Sequence, residues 1–522
     1  MKRSFFLWAI ALTGLAAAGA IRTHLEVERR SLGLVGAVPE DLPPIFRQRG
    51  DPASVAVVGA TLGVFRPRVL NFLWLRSDAL KRQGRFFESA ALARGITALQ
   101  PRLPRVWVFQ ARTLAFDISN ESPPRGRFRW VLEAIELLRD RGLSYNPASA
   151  ELYGELSYLF LFKIGQPFDE AHWIYKDELA GVFEAPPGLP PGERDTWRRE
   201  TLTAWKIDSE FLAELAEEHL GSRGDLDLRV AETHALYWAE IGLELRDSEG
   251  LPAAPVLRHY RSTALNQLLA RGRLVRQPAG PHYVQLPDLR FLGAARAAME
   301  DEVEVHRRRV EEARRAGDRW RQRLEDERID ETVEELELFH SLPAVCLALW
   351  GRHADAERWF LEAKERLPFA SLDELLAARL LSHGDGDEPS RPGRAEALAI
   401  LSSLIEAAVQ LPLTEDDDLT PLVSGLERFA RLLHASWTRQ AAAGESLPPV
   451  ELLRRSLIQR IAGRLPAPYR EGFETRFAEE IQARAPTPRE LGLRGPARPP
   501  LFEELGLDFE ALDPLYRRVV AP

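Results

Sequence analysis

Apolar and polar residues alternate along much of this chain with the period of an α-helix. In residues 344–368, one apolar run ends at Gly351 and a second helical pattern ends at Pro368. Three small or apolar residues fall on one face of that second helix, namely Ala356, Phe360 and Ala363. Two short helices divided by a glycine predict a helical hairpin.

A segment closer to the N-terminus has the same design. A helical pattern that starts at Asn71 ends at Gly84, and a second helical pattern ends at Pro101. The glycine and the proline are 17 residues apart in both segments. Two matches at one offset predict that the hairpin is an internal repeat.

Two more hairpins are predicted between residues 104 and 180. The first has a face of aromatic, small and apolar residues formed by Trp107, Ala111 and Leu114. An insertion at 120–126 delays its second helix, and Pro167 adds one residue to the spacing of the next hairpin. The pattern therefore predicts degenerate repeats.

A proline-rich break at 186–192 separates these hairpins from a second block. That block predicts helices at 197–219, 230–246 and 256–272, and residues 273–293 leave room for a small β excursion. The predicted organisation is, in chain order, a membrane anchor or signal peptide (1–21), a linker (22–50), helical hairpins (51–185), the second helical block (197–295), a long charged helix or helical hairpin (296–340), a C-terminal helical region (341–483) and a Pro/Arg-rich tail with a short helix (484–522).

The N-terminal anchor is predicted from residues 4–21, which carry no charge and follow Lys2 and Arg3. Such a stretch is long enough to cross a bilayer as a helix. Ala18-Gly-Ala20 also fits a signal-peptide cleavage site, so export after cleavage is the alternative. We expect a retained single-pass anchor in the cytoplasmic membrane with the body on the periplasmic side. A body that faces the cytoplasm is a third interpretation.

Composition excludes several functional classes. The formal net charge is -9, whereas a nucleic-acid binder needs a concentrated basic surface. Only six of the 69 basic residues are lysine, which indicates a bias in genomic base composition. Cys346 is the single cysteine, so an intramolecular disulfide and a cysteine-based zinc site are both excluded. Its apolar surroundings in the sequence predict core packing.

His234 is the strongest candidate for chemistry. Glu232 precedes it, Trp238 lies one turn further on, and Asp227 lies seven residues before it. A metal ligand or general base needs a second ligand or an orienting carboxylate on the same helix face. We expect a packed histidine, and an enzyme or metal site in the second block around His234 is the alternative. No metalloprotease, hydrolase-elbow, phosphate-loop or dinucleotide motif occurs, so no catalytic residue, cofactor or small-molecule substrate is expected.

Residues 84–101 and 351–368 resemble the second half of a tetratricopeptide repeat (TPR). Residues 72–78, together with 84–88 and 232–239, look like a family of membrane-anchored TPR-like proteins from planctomycete-type bacteria. The resemblance implies a helical superhelix that binds other proteins, and a setting in the cell envelope. It implies no particular activity.

The sequence therefore predicts an all-α, TPR-like solenoid of degenerate helical hairpins with one N-terminal transmembrane or signal helix. The expected function is that of a non-enzymatic scaffold for protein–protein interaction or assembly in the bacterial envelope. We expect its partners, proteins or peptides, to bind on the concave face that the first helices of the hairpins line. Trp74, Trp107 and Arg112 are the candidate residues of that surface.

Overall fold

Helices dominate the computed structural model of this chain. The structure describes residues 66–166, 169, 171–221, 224–251, 254–276, 283–320, 322–325, 327, 341–364, 369–381, 394–413, 419–440, 446–487 and 490–491. Within these ranges the strands are limited to one antiparallel pair. The all-α prediction is confirmed.

The predicted anchor at 4–21, the linker at 22–50 and most of the tail at 484–522 lie outside the described residues. None of the helices in the described ranges has both the length and the apolar character that crossing a bilayer requires.

Short helices follow one another along the chain. In the first half they are α1 (Arg66–Arg82), α2 (Phe86–Leu99), α3 (Pro104–Arg112), α4 (Pro124–Glu136), α5 (Ala150–Tyr158), α6 (His172–Phe183), α7 (Pro191–Ala204), α8 (Ser209–Leu220), α9 (Ala231–Ser248) and α10 (Pro255–Arg271). Helices α3, α4 and α5 each continue into a wider π-helical turn, at Thr113–Ile118, Leu137–Gly142 and Leu159–Gly165.

A β-hairpin opens the second half. Strand β1 (Arg273–Arg276) pairs antiparallel with β2 (Tyr283–Leu286), so the β excursion is present. The helices that follow are α11 (Leu292–Arg315), α12 (Ser341–Leu349), α13 (His353–Ala363), α14 (Leu372–Leu381), α15 (Arg394–Gln410), α16 (Thr420–Gln440), α17 (Val450–Arg464), α18 (Ala467–Arg476) and α19 (Ala478–Gln482).

The chain divides into two compact units. Unit 1 comprises the described residues within Met1–Glu217 and Thr233–Arg261. Unit 2 comprises those within Glu218–Glu232 and Ser262–Pro522.

In unit 1 each hairpin packs on the next. Helix α1 packs on α2, α3 contacts α2, α4 and α5, and α4 contacts α6. Large aromatic side chains fill the interior and are fully buried, among them Tyr153, Phe160, Tyr175, Tyr237 and Trp238. The α9 backbone approaches α5 closely because residue 242 is glycine, and a β-carbon there would lie 2.8 Å from Tyr153 Cβ.

Unit 2 has a core of its own. Helices α12, α13, α15, α16 and α17 pack around buried aromatic and aliphatic side chains that include Phe360, Phe429, Trp437 and Phe473. Val275 and Leu286 of the β-hairpin join this core. Residue 425 in α16 must be small, because a β-carbon there would collide with the Leu349 carbonyl at the end of α12.

The two glycines of the repeated pattern end their helices in the same way. Gly84 and Gly351 have φ of 72° and 69°, the left-handed region that glycine enters without a steric penalty. The N–H after each glycine donates to a carbonyl five residues back, Arg85 to Leu80 and Arg352 to Leu347. This is the Schellman arrangement. It explains why the sequence pattern breaks at these positions.

One helix boundary in the second block was predicted wrongly. Residues 197–219 belong to two helices, α7 and α8, and not to one. Lys206 turns the chain between them with φ of 57°, and Ile207 N–H donates to the Leu202 carbonyl at 2.9 Å. This is the same cap as at Gly84, formed by a residue that carries a β-carbon. A lysine gives no sequence signal for such a turn, because L-residues rarely adopt it.

Helix α1 also buries a different face from the one its apolar residues indicate. Phe72 and Leu75 are exposed, whereas Leu70, Ser77 and Leu80 are buried. Ser77 is accommodated there because its hydroxyl shares a 2.8 Å hydrogen bond with that of Ser89 on α2. A paired hydroxyl can be buried at little cost.

Candidate functional site

A row of half-buried aromatic side chains crosses unit 1. The row, called the aromatic row below, consists of Trp74 on α1, Phe109 on α3, Phe116 and Phe162 on the π-helical turns after α3 and α5, Tyr158 on α5 and Tyr260 on α10. Four of these residues belong to the first helices of the second and third hairpins and their π-helical extensions. Each is partly accessible to solvent.

Ring contacts join four members of the row, with Tyr158 in contact with the other three. The Tyr158 ring lies 5.0 Å from Phe162, 6.1 Å from Phe116 and 6.4 Å from Tyr260, centre to centre. Tyr260 fits against α5 because residue 154 is glycine, and a β-carbon there would lie 3.3 Å from the Tyr260 ring. Burial raises the pKa of the Tyr260 hydroxyl to about 12. That hydroxyl is therefore neutral at physiological pH and can donate a hydrogen bond.

Arg112 lies beside these rings. Its Nε and Nη2 donate to Glu155 Oε1 and Oε2 at 2.7 and 2.8 Å, which is a bidentate pair between α3 and α5. The guanidinium stands 5.0 Å above the Tyr158 ring. Glu155 is buried, but half of the Arg112 side chain is exposed. The pair fixes the plane of the guanidinium and leaves its outer edge accessible.

Burial and the pairing with Arg112 shift the pKa of the Glu155 carboxyl in opposite directions. Burial raises its pKa, and the two bonds from Arg112 offset part of that effect. In turn, the hydrogen bonds to Glu155 raise the pKa of Arg112. Removal of Arg112 would leave a carboxyl buried without its cation.

Trp74 occupies the other end of the row. Its ring packs edge-on against Phe109 with 4.7 Å between the centres. Lys81 Nζ lies 4.4 Å from the centre of the Phe109 ring and 2.6 Å from Asp117 Oδ2, so it links α1 to the helix that carries Arg112. Two of the three residues predicted for the binding surface, Trp74 and Arg112, therefore lie at this row.

Trp107 lies elsewhere. It is 5% exposed, its Nε1 donates to the Pro101 carbonyl at 2.7 Å, and its ring stacks on Tyr145. These contacts place it in the core of unit 1, away from any accessible surface. Its position follows from the helix period, since Ala111 and Leu114 on the same face are buried as well.

A buried polar network centred on Asp169 adjoins the row. Asp169 accepts hydrogen bonds from Lys163 Nζ (2.5 Å), Tyr175 Oη (2.7 Å), Arg127 Nη1 (2.8 Å) and the Ala171 N–H (2.9 Å). The same Lys163 Nζ lies 5.1 Å from the centre of the Phe116 ring. The network therefore connects the two π-helical turns that carry aromatic residues of the row.

The network controls the charge of its members. Burial alone would raise the pKa of Asp169, but the bonds from Lys163, Ala171 and Tyr175 hold it below its ordinary value. Burial lowers the pKa of Lys163, and Asp169 opposes that shift. Burial together with the bond to Asp169 raises the pKa of Tyr175. At neutral pH the Asp169 carboxylate is thus charged and the Tyr175 hydroxyl is protonated.

His234 is packed among aromatic rings. It is fully buried, its ring stacks on Phe160 at 4.8 Å, and Phe183 and Trp205 lie 4.9 and 5.7 Å away. Nowhere in the described parts of the chain do three or more His, Cys, Asp or Glu side chains form a group that could hold a metal ion. The described contacts of His234 are those of a core residue.

Cys346 lies in the core of unit 2 and is fully buried. Burial raises the pKa of its thiol well above the ordinary value. A thiol in this state is a poor nucleophile, because the thiolate is the reactive form. The expectation of a packing role agrees with this environment.

Sequence reasoning missed six residues at the row, Phe109, Phe116, Glu155, Tyr158, Phe162 and Tyr260. Tyr158 and Phe162 are one helical turn apart, and this spacing was a usable signal. Glu155 and Tyr260 gave none, because their contacts depend on how separate helices pack. No protein-family model, curated protein or solved structure matches this chain.

Proposed function

We propose that this protein is a TPR-like scaffold of the bacterial cell envelope that binds segments of other proteins along the aromatic row. One observation carries the proposal: six half-buried aromatic rings and a half-exposed, pre-oriented arginine lie on neighbouring helices of unit 1. Tryptophan, tyrosine and arginine are the side chains that contribute most to protein–protein interfaces. The row combines them on rigid helices.

The state of Arg112 favours binding. Glu155 already fixes its guanidinium, so a partner that bonds to its outer edge does not have to order a flexible side chain. Side-chain ordering is one of the main costs of association. The adjacent rings supply apolar area with little conformational entropy to lose.

The repeat architecture belongs to the proposal as well. The contacts of α3 with α2, α4 and α5 are those expected when consecutive hairpins stack. The matching caps at Gly84 and Gly351 favour a common origin for the two hairpins. We infer a superhelix of degenerate repeats from these features.

Attachment to the membrane is proposed from the sequence. Residues 4–21 are uncharged and span the length of a bilayer-crossing helix. A retained anchor would hold the binding surface near the cytoplasmic membrane and raise its effective concentration toward other envelope proteins.

Site-specific crosslinking tests the binding surface. A photoreactive amino acid at position 162 in the row is compared with the same residue at position 91, an exposed site on α2 outside the row. We expect a discrete crosslinked protein from position 162 only, in membranes of cells that express the full chain. Tyr158→Ala should abolish this adduct while thermal unfolding shows a folded chain. The captured protein, once purified, must bind the purified full chain.

The proposal fails if positions 162 and 91 capture the same proteins or if Tyr158→Ala leaves the adduct unchanged. The alternative, a metal or enzyme site around His234, is tested on the same preparation. Stoichiometric metal in the purified full chain that His234→Ala removes would favour that alternative over a scaffold.

A further inference from the structure

The outward face of helix α1 carries basic and apolar side chains side by side. At about 100° per residue, Arg68, Phe72, Leu75, Arg76 and Arg82 fall on one side of the helix. Phe72 and Leu75 are 65% and 62% exposed, and the three arginines are exposed as well. Two large apolar side chains this far in solvent call for an explanation that the fold itself does not provide.

The opposite side of α1 already attaches it to unit 1. Leu70, Ser77 and Leu80 are buried there, and Ser77 bonds to α2. Trp74 of the aromatic row points away from the exposed face, by about 130° around the helix from Phe72 and Leu75 on average. The exposed face and the aromatic row can therefore be occupied at the same time.

The charge on the exposed face is positive. Arg82 pairs with Asp78 at 2.6 Å, whereas neither Arg68 nor Arg76 forms an ion pair with any other described residue. Two unpaired guanidinium groups on either side of Phe72 and Leu75 complement an anionic surface that also accepts apolar side chains. A bilayer with acidic headgroups has both properties, and helices that lie in its interface have this composition.

We propose that α1 lies on the surface of an anionic lipid bilayer, with Phe72 and Leu75 at the boundary of headgroups and acyl chains and with Arg68 and Arg76 on lipid phosphates. This goes beyond the proposed protein-binding function and uses none of the residues of the aromatic row. It orients unit 1 so that α1 faces the membrane.

Depth-dependent fluorescence quenching tests the contact. The full chain with Leu75→Cys is labelled with an environment-sensitive fluorophore and reconstituted with vesicles. The native Cys346 is fully buried and does not compete for the label. With phosphatidylglycerol in the vesicles, we expect a blue shift and quenching by brominated acyl chains. With pure phosphatidylcholine, we expect neither. A label at Leu361→Cys, 55% exposed on α13, is the matched control and should respond in neither case.

Charge removal tests the role of the arginines. Arg68→Gln and Arg76→Gln should each lower the ratio of quenched to unquenched label roughly fivefold, which corresponds to about 1 kcal/mol per basic residue at an anionic membrane. Arg308→Gln, exposed on α11, should leave the ratio unchanged. The proposal would be overturned by equal quenching in both lipids, by unchanged quenching in Arg68→Gln and Arg76→Gln, or by a blue shift without vesicles. We expect these changes to leave crosslinking from position 162 unaffected, so the two proposals fail separately.

Discussion

Four donors converge on Asp169, and they come from three elements of unit 1 and the turn before α6. Removal of the carboxylate would leave Lys163 buried without its anion, and breaking such a pair costs several kcal/mol because the remaining charge keeps its desolvation penalty. The network should therefore matter more for stability than any exposed ion pair of this chain.

The first prediction concerns Asp169→Asn. We expect it to lower the free energy of unfolding by about 3 kcal/mol at pH 7. The folded pKa of Asp169 lies below its ordinary value of 3.8, so its contribution is present above that pH and is lost as the pH falls through the folded pKa. Urea unfolding of wild type and variant should thus show a difference that shrinks below pH 4.

Asp195→Asn is the control for this measurement. Asp195 is exposed on α7 and forms no ion pair within the described ranges, so its substitution should change stability little at any pH. A difference between wild type and Asp169→Asn that stays constant from pH 7 to strongly acidic solution would contradict the assignment of a lowered pKa.

The second prediction compares Trp107 with Trp74, because the sequence analysis placed both on the binding surface. Trp107→Ala should destabilise the chain by about 3 to 5 kcal/mol, because the indole is buried and bonded to Pro101. Trp74→Ala removes a half-buried ring and should cost about 1 kcal/mol. Chemical unfolding of both variants shows which one loses more stability. Equal losses of unfolding free energy would show that Trp107 is not a core residue.

At the level of elements, helix caps give the third prediction. Lys206 has φ of 57°, where a β-carbon costs about 1 to 2 kcal/mol. Lys206→Gly should therefore raise the unfolding free energy of the chain by about 1 kcal/mol, and Gly84→Ala should lower it by a similar amount. Lys206→Ala is the control, because it removes the long side chain but keeps the β-carbon. Stabilisation by Lys206→Ala equal to that by Lys206→Gly would refute the backbone explanation.

The crossing of α9 and α5 gives the fourth prediction. A β-carbon at position 242 would lie 2.8 Å from Tyr153 Cβ and 2.9 Å from Leu257 Cδ1. Gly242→Ala should cost about 1 to 3 kcal/mol, the usual penalty for overpacking a core. Gly181→Ala on α6 is the control for Gly242→Ala, because nothing lies within 4 Å of a β-carbon at position 181. That control should be neutral or slightly stabilising, since alanine favours a helix.

How far the sequence predicted these elements depends on the range of the interactions involved. The helix ends at Gly84 and Gly351 were predictable, because a left-handed cap leaves glycine as a local mark. The turn at Lys206 was not, because L-residues rarely adopt this conformation and a lysine leaves no local mark of it. The Arg112–Glu155 pair joins residues 43 positions apart and depends on the stacking of two hairpins, which no periodicity encodes. The same holds for the Asp169 network.

At the scale of the whole molecule, each unit has its own buried core, with Tyr153 and Trp238 in unit 1 and Phe429 and Trp437 in unit 2. The features that the proposals use are concentrated in unit 1. The exposed face of α1, the aromatic row and the Asp169 network all lie there. Both proposals therefore assign their contacts, with the membrane and with a partner protein, to unit 1.

The location of the whole chain is the last prediction, and it follows from the uncharged stretch at 4–21. Alkaline phosphatase folds into its active form only outside the cytoplasm, so a fusion after residue 522 should be active. Deletion of residues 4–21 should abolish that activity, because no other stretch of the sequence runs as long without a charged residue. The mass of the purified chain then separates the two export routes: a retained anchor leaves residues 1–20 in place, whereas cleavage after Ala20 removes them. An inactive phosphatase fusion together with an active β-galactosidase fusion at the same position would place the body in the cytoplasm and refute the envelope assignment.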